Sequence, residues 1–252
     1  MSFAVSADAY GQFMGRFSQP LAGRFAAYLR LAPGRRVLDV GCGPGAPTAV
    51  LVARLGAESV AAVDPSESFV ATAAGRLPGV DVRRGVAEAL PWPDDRFDCA
   101  AAQLVVHFMT DPVAGLTEMA RVTRPGGTVA ATVWDFGGGT APLSLFWQAA
   151  AAVDPAAPGE AHLAGTGEGQ LADLLGQAGL REIESTALTV DVPFTSFAQW
   201  WEPFTFGLGP AGTYLAGLDD QRRAAIRDAC ADLLPEAPFT VSARSWAARG
   251  VV

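Results

Sequence analysis

The segment VLDVGCGPG, at residues 37–45, places a short apolar strand directly before a glycine-rich turn. Residues 48–55 follow with apolar side chains at helical spacing, and Gly56 ends that helix. Glycines at a strand-to-helix turn let the chain bend tightly and let a ligand approach the backbone, while the helix N-terminus adds N–H donors. The segment therefore predicts a ligand-binding turn at the carboxyl end of a strand.

Strand-like and helix-like blocks alternate on both sides of this turn. The predicted strands cover 37–40, 59–64, 80–84, 97–103 and 128–134, and the predicted helices 21–29, 48–55, 66–76 and 112–122. The strands are apolar at successive positions instead of every second one, which is typical of parallel sheets covered on both faces. The pattern predicts a doubly wound α/β fold with a mostly parallel sheet.

The pattern weakens after Trp134. We expect helices over 143–153 and 170–179, a strand over 182–192, two helical stretches within 196–234 and a closing strand over 239–250. These elements form a C-terminal α+β extension of the same domain.

Composition excludes several classes of function. The formal net charge is −8 and the pI about 4.7, so nucleic acid would be repelled and is not expected as a partner. The chain contains no Lys, which excludes a Lys Schiff base. Three separated cysteines and two histidines predict neither a disulfide framework nor a metal site. No signal peptide and no membrane-spanning stretch is recognisable, so we expect a cytoplasmic protein with no membrane partner.

Two carboxylates distinguish between possible ligands of the turn. Asp64 closes the second predicted strand, where it can accept both hydrogens of a ribose diol. Such a diol occurs in adenine dinucleotides and in S-adenosylmethionine (SAM). The alternative role of Asp64 is to cap the next helix. Asp39 lies two residues before Gly41, where a carboxylate is costly unless it meets positive charge or hydrogen-bond donors. SAM carries a sulfonium and an ammonium, whereas Asp39 would repel a pyrophosphate. The pair favours SAM.

The segment at 37–45 resembles the first motif of the class I SAM-dependent methyltransferases. Three further segments match that family in order, namely 62–66, the stretch 85–92 followed by Phe97-Asp98, and 124–127, so that the resemblance spans residues 35–134. It implies cofactor contacts from Asp39, Gly41, Cys42 and Gly43, from Asp64, Pro65 and Ser66 at the ribose, and from Val86 and Ala87 at the adenine. The family commonly has Asp where this chain has Val86, so here the adenine would depend on backbone groups and apolar packing.

The N-terminal segment Tyr10–Ser18 resembles one found in bacterial small-molecule methyltransferases, including the ubiquinone-biosynthesis-like group. This resemblance implies a lid in which Tyr10 packs beside the sulfonium and Arg16, assisted by Ser18, pairs with the SAM carboxylate. The alternative is an amphipathic surface helix with a solvated Arg. We expect a lid segment at 1–34, a SAM-binding core at 35–135 and substrate-side elements at 136–252.

The methyl acceptor is expected beyond the ends of the fourth and fifth strands. Gln103 would contact the cofactor, and His107 is the candidate general base, with a packed structural histidine as the alternative. Trp134 and Asp135 end the fifth strand and would meet the acceptor. Aromatic residues predict an apolar acceptor pocket, with an ordinary hydrophobic core as the alternative; they are Trp147, Trp200, Trp201 and Phe204. Family resemblance implies that Arg244 closes this pocket.

The sequence thus favours methyl transfer from SAM to the oxygen, nitrogen or carbon of a small molecule, with release of S-adenosylhomocysteine. Two alternatives stay open: a SAM-binding protein that guides a rearrangement or regulates a partner, and an NAD(P)-dependent oxidoreductase on the same fold. A monomer and a weak homodimer fit the sequence equally well.

Overall fold

A computed structural model describes residues 11–252 and contains one seven-stranded sheet in the order β3-β2-β1-β4-β5-β7-β6. Strands β1 to β5 run parallel, and β7 pairs antiparallel with both β5 and β6. The strands are β1 Val37–Val40, β2 Val60–Asp64, β3 Asp81–Arg84, β4 Phe97–Gln103, β5 Thr123–Trp134, β6 Arg181–Phe194 and β7 Phe239–Val251. The predicted fold class, a doubly wound and mostly parallel α/β sheet, is confirmed.

Helices cover both faces of the sheet. They are α1 Arg16–Tyr28, α2 Ala46–Leu55, α3 Glu67–Arg76, α4 Pro112–Val122, α5 Ser144–Val153, α6 Gln170–Gln177, α7 Phe197–Trp201, α8 Gly209–Ala216 and α9 Asp220–Leu233. Local sequence sets several starts: the side chain of Ser66 accepts from the N–H of Phe69 at 3.5 Å, and that of Asp111 accepts from Ala114 at 3.0 Å. Within the described residues, none of the helices is long and apolar enough to cross a bilayer.

The parallel register brings four strand ends to one edge of the sheet. Val40 lies opposite Val63, and Gln103 lies opposite Thr132. Every residue of β1 and β2 is buried, as expected for strands covered on both faces. The segments that follow β1, β2, β4 and β5 therefore converge at this carboxyl edge.

The segment Arg124–Gly127 lies at the opposite edge. We predicted a turn leading into a strand at residue 128, but β5 already begins at Thr123. Arg124 forms an ion pair with Asp98 at 2.6 Å, and a Cβ on Gly127 would lie 2.8 Å from the Asp98 carbonyl oxygen. The segment thus ties β4 to β5 far from the convergence point of the strand ends.

The C-terminal part contains more helix than the sequence pattern indicated. Residues 196–234 form α7, a 3-10 turn over Glu202–Phe206, α8 and α9, instead of two helices. These helices, α5 and the N-terminal segment enclose an aromatic core, in which Phe146 stacks on Phe204 at 4.7 Å and Phe13 meets Phe204 edge-on at 5.2 Å. Packing of these aromatic side chains determines how the helices are arranged, and the aromatic residues do not recur at a regular spacing that the sequence pattern could show.

Candidate functional site

A cavity of about 260 Å³ lies at the carboxyl edge of the parallel strands. Its walls come from three parts of the chain. The glycine-turn side consists of Gly41, Gly43, Asp64, Pro65, Val86, Ala87 and Glu88; the β4–β5 side includes Gln103, Leu104, His107, Trp134, Phe136, Leu143, Glu160 and Leu208; Phe13 and Met14 cover it from the N-terminal segment. The strand order alone places the first two sides next to each other.

The glycine turn is held in place by β2. Gly41 has φ +71°, and a Cβ there would lie 2.3 Å from Cγ2 of Val105, so only glycine fits. The N–H groups of Gly41 and Cys42 both donate to the Val63 carbonyl, at 2.8 and 3.0 Å. Gly43, at φ +54°, has no atom within 4 Å of where its Cβ would lie. The turn therefore has open space beside Gly43, whereas a side chain at Gly41 would collide with Val105.

Asp64 connects the turn to the next helix and lines the cavity. It is 6% exposed, and its carboxylate accepts from the N–H of Gly43 at 2.9 Å and from that of Ser66 at 2.8 Å. Burial raises the pKa of this carboxyl, and the two backbone donors oppose that shift. Each oxygen can accept a further hydrogen bond, so Asp64 can both brace the turn and bind a diol.

Asp39 does not line the cavity, contrary to the cofactor contact we predicted for it. Its carboxylate accepts from Thr48 Oγ1 at 2.6 Å and from the Thr48 N–H, at the start of α2. Burial raises the pKa of Asp39 to about 7. The donors that make this buried position tolerable come from the protein itself, so Asp39 stabilises the start of α2.

Four other described residues of the predicted cofactor set also lie off this cavity wall, namely Cys42, Ser66, Arg16 and Ser18. Cys42 is 2% exposed and packs against Ala62 and Ala73, and Ser66 caps α3. By contrast, Gly41, Gly43, Asp64, Pro65, Val86, Ala87 and Gln103 all line the cavity. Glu88, which we did not predict, joins them and accepts from the N–H of Thr110 at 2.8 Å, so that the segment after β3 is tied to the segment after β4.

Arg16 and Ser18 lie in α1, beside the glycine turn. They line a groove that also includes Pro44, Gly45 and Arg76, and the Arg16 guanidinium lies 5.5 Å from the centre of the Phe194 ring. Tyr10, the third residue predicted in this segment, lies outside the described residues.

Three buried polar atoms on cavity-lining residues have no hydrogen-bond partner within residues 11–252: Gln103 Oε1, His107 Nδ1 and Trp134 Nε1. The Gln103 amide is oriented by its Nε2, which donates to the Ser18 carbonyl at 2.9 Å. Leu104, which follows it, has φ +63°, an unfavourable conformation for a branched side chain. Buried polar groups are normally paired, so these three atoms have hydrogen-bonding capacity that the described residues do not use.

His107 lies in the short turn after β4. Its ring centre lies 4.0 Å from that of Phe108 and 6.4 Å from that of Phe136. Burial among these rings lowers the pKa of His107 to about 3. The imidazole is therefore neutral near pH 7 and can donate or accept a hydrogen bond, although such a low pKa makes it a weak base.

Most residues predicted to contact the acceptor lie elsewhere. Asp135 is 1% exposed and accepts from the Gly138 N–H, from Thr140 Oγ1 and from Trp246 Nε1, so that it organises the loop after β5. Arg244 is exposed, with its guanidinium 5.8 Å from the centre of the Trp246 ring. The four aromatic candidates Trp147, Trp200, Trp201 and Phe204 belong to the aromatic core, whereas Trp134 does line the cavity.

Glu160 is a cavity residue that sequence reasoning missed. It is 3% exposed, and its Oε2 accepts from Trp147 Nε1 at 2.7 Å. Burial raises the pKa of Glu160 to about 7. It lies in a Pro/Gly/Ala-rich loop between α5 and α6, where no periodicity or motif marks it, so no sequence signal could have identified it.

Comparisons with known proteins agree with this geometry. Residues 38–131 match a family model described as a methyltransferase domain. The chain is 42% identical over 101 residues to a demethylmenaquinone methyltransferase of Mycobacterium sp. (strain KMS), covering 40% of this chain and 42% of that protein. It is 36% identical over 129 residues to a malonyl-[acyl-carrier protein] O-methyltransferase of Erwinia billingiae, covering 51% of this chain and 50% of that protein. The chain thus spans half or less of the length of these relatives.

The fold has a similar counterpart among solved structures. A putative methyltransferase from an antibiotic biosynthesis pathway of Anabaena variabilis has a TM-score of 0.62 and 19% identity, covering 92% of this chain and 97% of that one. At this identity the likeness concerns the fold alone.

Proposed function

We propose that this chain, whose residues 38–131 match a methyltransferase domain, is a class I SAM-dependent methyltransferase that transfers a methyl group from SAM to a small-molecule acceptor. The observation that supports this most is one cavity that carries the glycine turn and Asp64 on one side and unpaired buried polar atoms on the other. The site suits SAM, because a carboxylate for the ribose diol, open space beside Gly43 and the apolar side chains of Val86 and Ala87 on the adenine side occur together.

When bound, SAM supplies a methyl group on a positively charged sulfur. We assign the ribose diol to Asp64, with Pro65 beside it, and the adenine to the wall formed by Val86 and Ala87. Gln103 would contact the methionine part, and Arg16 and Ser18, in the groove beside Gly45, would bind its carboxylate. By family resemblance, Tyr10 would pack beside the sulfonium.

The β4–β5 side would hold the acceptor. Its apolar walls exclude water, and its few polar atoms can orient an acceptor against the methyl group, which is most of what in-line methyl transfer requires. His107 and Trp134 would hydrogen-bond the acceptor. Because the His107 imidazole is neutral and weakly basic, we assign it to positioning, with proton removal as a secondary role.

Calorimetry with SAM and NAD⁺ is the first test. We expect the wild-type protein to bind SAM and not NAD⁺, and Asp64→Asn to weaken SAM binding at least tenfold because one diol acceptor loses its charge. The exposed Asp191→Asn serves as control and should bind as the wild type does. Binding of NAD⁺ in place of SAM would support the oxidoreductase alternative.

Release of S-adenosylhomocysteine from SAM in the presence of candidate acceptors is the second test. Release that depends on an added acceptor supports methyl transfer. SAM binding without release across a broad set of amines, phenols, carboxylic acids and quinols would support a SAM-binding protein that does not methylate.

A further inference from the structure

Among the described residues, Glu160 is the one carboxylate on the β4–β5 side of the cavity. The loop between α5 and α6 carries it, and Trp147 of α5 orients it by donating to Oε2 at 2.7 Å. Trp147 is in turn held by an edge-on contact with Phe146 and by the ring of Tyr214, with centroids 5.1 and 5.6 Å away. The carboxylate is thus held in one direction by a packed aromatic donor.

No cation of the described residues balances this carboxylate. The part of the cavity wall that the structure describes contains no Arg, and the chain contains no Lys. The ion pairs found within residues 11–252 do not include Glu160. The other acidic and histidine side chains that residues 11–252 place on the wall are Asp64, Glu88 and the neutral His107. A buried carboxylate is costly unless it is paired, and a cation offsets that cost more fully than a neutral donor does.

The rest of the cavity wall indicates what the remainder of the ligand would be. Phe13, Met14, Phe136, Leu143 and Leu208 form the apolar part of the wall. His107 Nδ1 and Trp134 Nε1 each offer one buried, unpaired polar atom. Such a wall fits a molecule with an apolar body, one positively charged end and few further polar groups.

We propose that Glu160 determines acceptor specificity by binding the protonated amine of an apolar acceptor, and that Trp147 is its positioning residue. This inference rests on the proposed function, since it names the substrate class of the same cavity. An ammonium nitrogen has no lone pair, so Glu160 anchors it while the methyl group is transferred to another oxygen, nitrogen or carbon of the acceptor. Its raised pKa, about 7, fits a carboxyl group whose counter-charge arrives with the ligand.

Matched pairs of amine and alcohol test the proposal: 2-phenylethylamine with 2-phenylethanol, tryptamine with tryptophol, and hexylamine with 1-hexanol. Binding is measured by calorimetry and ligand-observed NMR at pH 8 on protein saturated with S-adenosylhomocysteine. We expect wild-type protein to bind at least one amine tenfold or more tightly than its alcohol. Glu160→Gln keeps an oxygen for Trp147 to donate to and should reduce that preference to twofold or less.

Two further variants test whether the effect is specific to Glu160 and to its hydrogen-bond donor. Glu168→Gln removes a charge from an exposed position of the same loop and should keep the wild-type preference. Trp147→Phe keeps an aromatic ring but removes the donor, and we expect it to reduce the preference three- to tenfold. It also tests the proposal should Glu160→Gln fail to fold, as judged by circular dichroism.

SAM and S-adenosylhomocysteine affinities are measured first on every variant, because they separate the two levels of inference. Wild-type protein that binds neither contradicts the proposed function. Wild-type protein that binds both but no amine, or binds alcohols as tightly, overturns the role of Glu160. A Glu160→Gln variant that keeps the amine preference also overturns the role of Glu160. So does a Glu160→Gln variant whose affinity for SAM falls more than threefold relative to its affinity for S-adenosylhomocysteine, since Glu160 would then face the sulfonium.

Discussion

Two glycines of one turn have different physical reasons to be glycine. At Gly41 a side chain would collide with Val105, whereas at Gly43 the space beside the Cα is open and belongs to the cavity. Both have positive φ, which costs a non-glycine residue about 1–2 kcal/mol. The first glycine therefore serves packing, and the second serves access to a ligand.

Alanine at these two positions should separate folding from binding. We expect Gly41→Ala to lower the free energy of unfolding by about 3 kcal/mol, because overpacking adds to the backbone cost. Gly43→Ala should cost about 1 kcal/mol while weakening SAM at least tenfold, because its methyl group enters the cavity. Urea denaturation and calorimetry measure the two effects. Equal losses of stability would contradict the assigned roles.

His107 provides a second prediction at this scale. Burial lowers its pKa to about 3, so its ring should stay neutral between pH 5 and 8. NMR of the ring resonances measures this directly, with the exposed His162 as the reference signal. A His107 protonation midpoint near 6.5 would show that water reaches the ring and would restore it as a candidate base.

At the scale of elements, the loop after β5 is organised by one buried carboxylate. Asp135 accepts three hydrogen bonds, at 2.8 Å from Gly138, 2.5 Å from Thr140 and 2.9 Å from Trp246 of β7. Through these it connects the end of β5 to β7 and holds Phe136, the next residue, in the cavity wall. Its influence on a ligand is therefore indirect.

Removal of this carboxylate should destabilise the whole domain. We expect Asp135→Ala to lower the free energy of unfolding by about 3 kcal/mol, because three donors lose their partner, and Thr140→Val to lower it by about 1 kcal/mol. Asp191→Ala, which removes an exposed carboxylate that accepts from Ser242, should cost no more than about 0.5 kcal/mol. Urea denaturation is the measurement, and a loss of ligand affinity without loss of stability would return Asp135 to the acceptor site.

At the scale of the whole molecule, buried titratable groups make stability depend on pH in opposite directions. The pKa of Asp39 is raised from 3.8 to about 7, so its contribution is greatest below pH 3.8 and is lost as the pH rises through 7. The contribution of Glu160 to stability depends on pH in the same direction, because its pKa is also raised. His107 has the opposite one: its pKa is lowered, so stability falls as the pH drops below 6.5 toward 3.

Asp39→Asn isolates one of these contributions. Its free energy of unfolding, relative to the wild type, should rise by about 2–3 kcal/mol between pH 5 and pH 8, since only the wild type must ionise a buried group. Asp191→Asn should show no such trend. SAM affinity should change much less than in Asp64→Asn, because Asp39 lies off the cavity wall. A difference that is flat with pH would contradict the pKa assigned to Asp39.

The sequence by itself determined the parallel core, the glycine turn and the places of Asp64, Gln103 and His107. These depend on local signals, namely apolar runs, glycines between strand and helix, and residues at strand ends. Parallel strands align their carboxyl ends, so a residue that follows a strand reaches the same edge wherever it lies in the chain. That rule placed Gln103 and His107 at the cavity and required no knowledge of their neighbours.

Only the tertiary structure decided which polar groups are available to a ligand. Asp39 and Asp64 look alike in the sequence. The Asp39 carboxylate is hydrogen-bonded to Thr48, whereas the Asp64 carboxylate borders the cavity. Asp135 is taken up by the loop after β5, while Glu160 enters the cavity from a loop without pattern. The reason is that hydrogen-bond partners and burial are set by contacts between distant segments, which local periodicity does not encode.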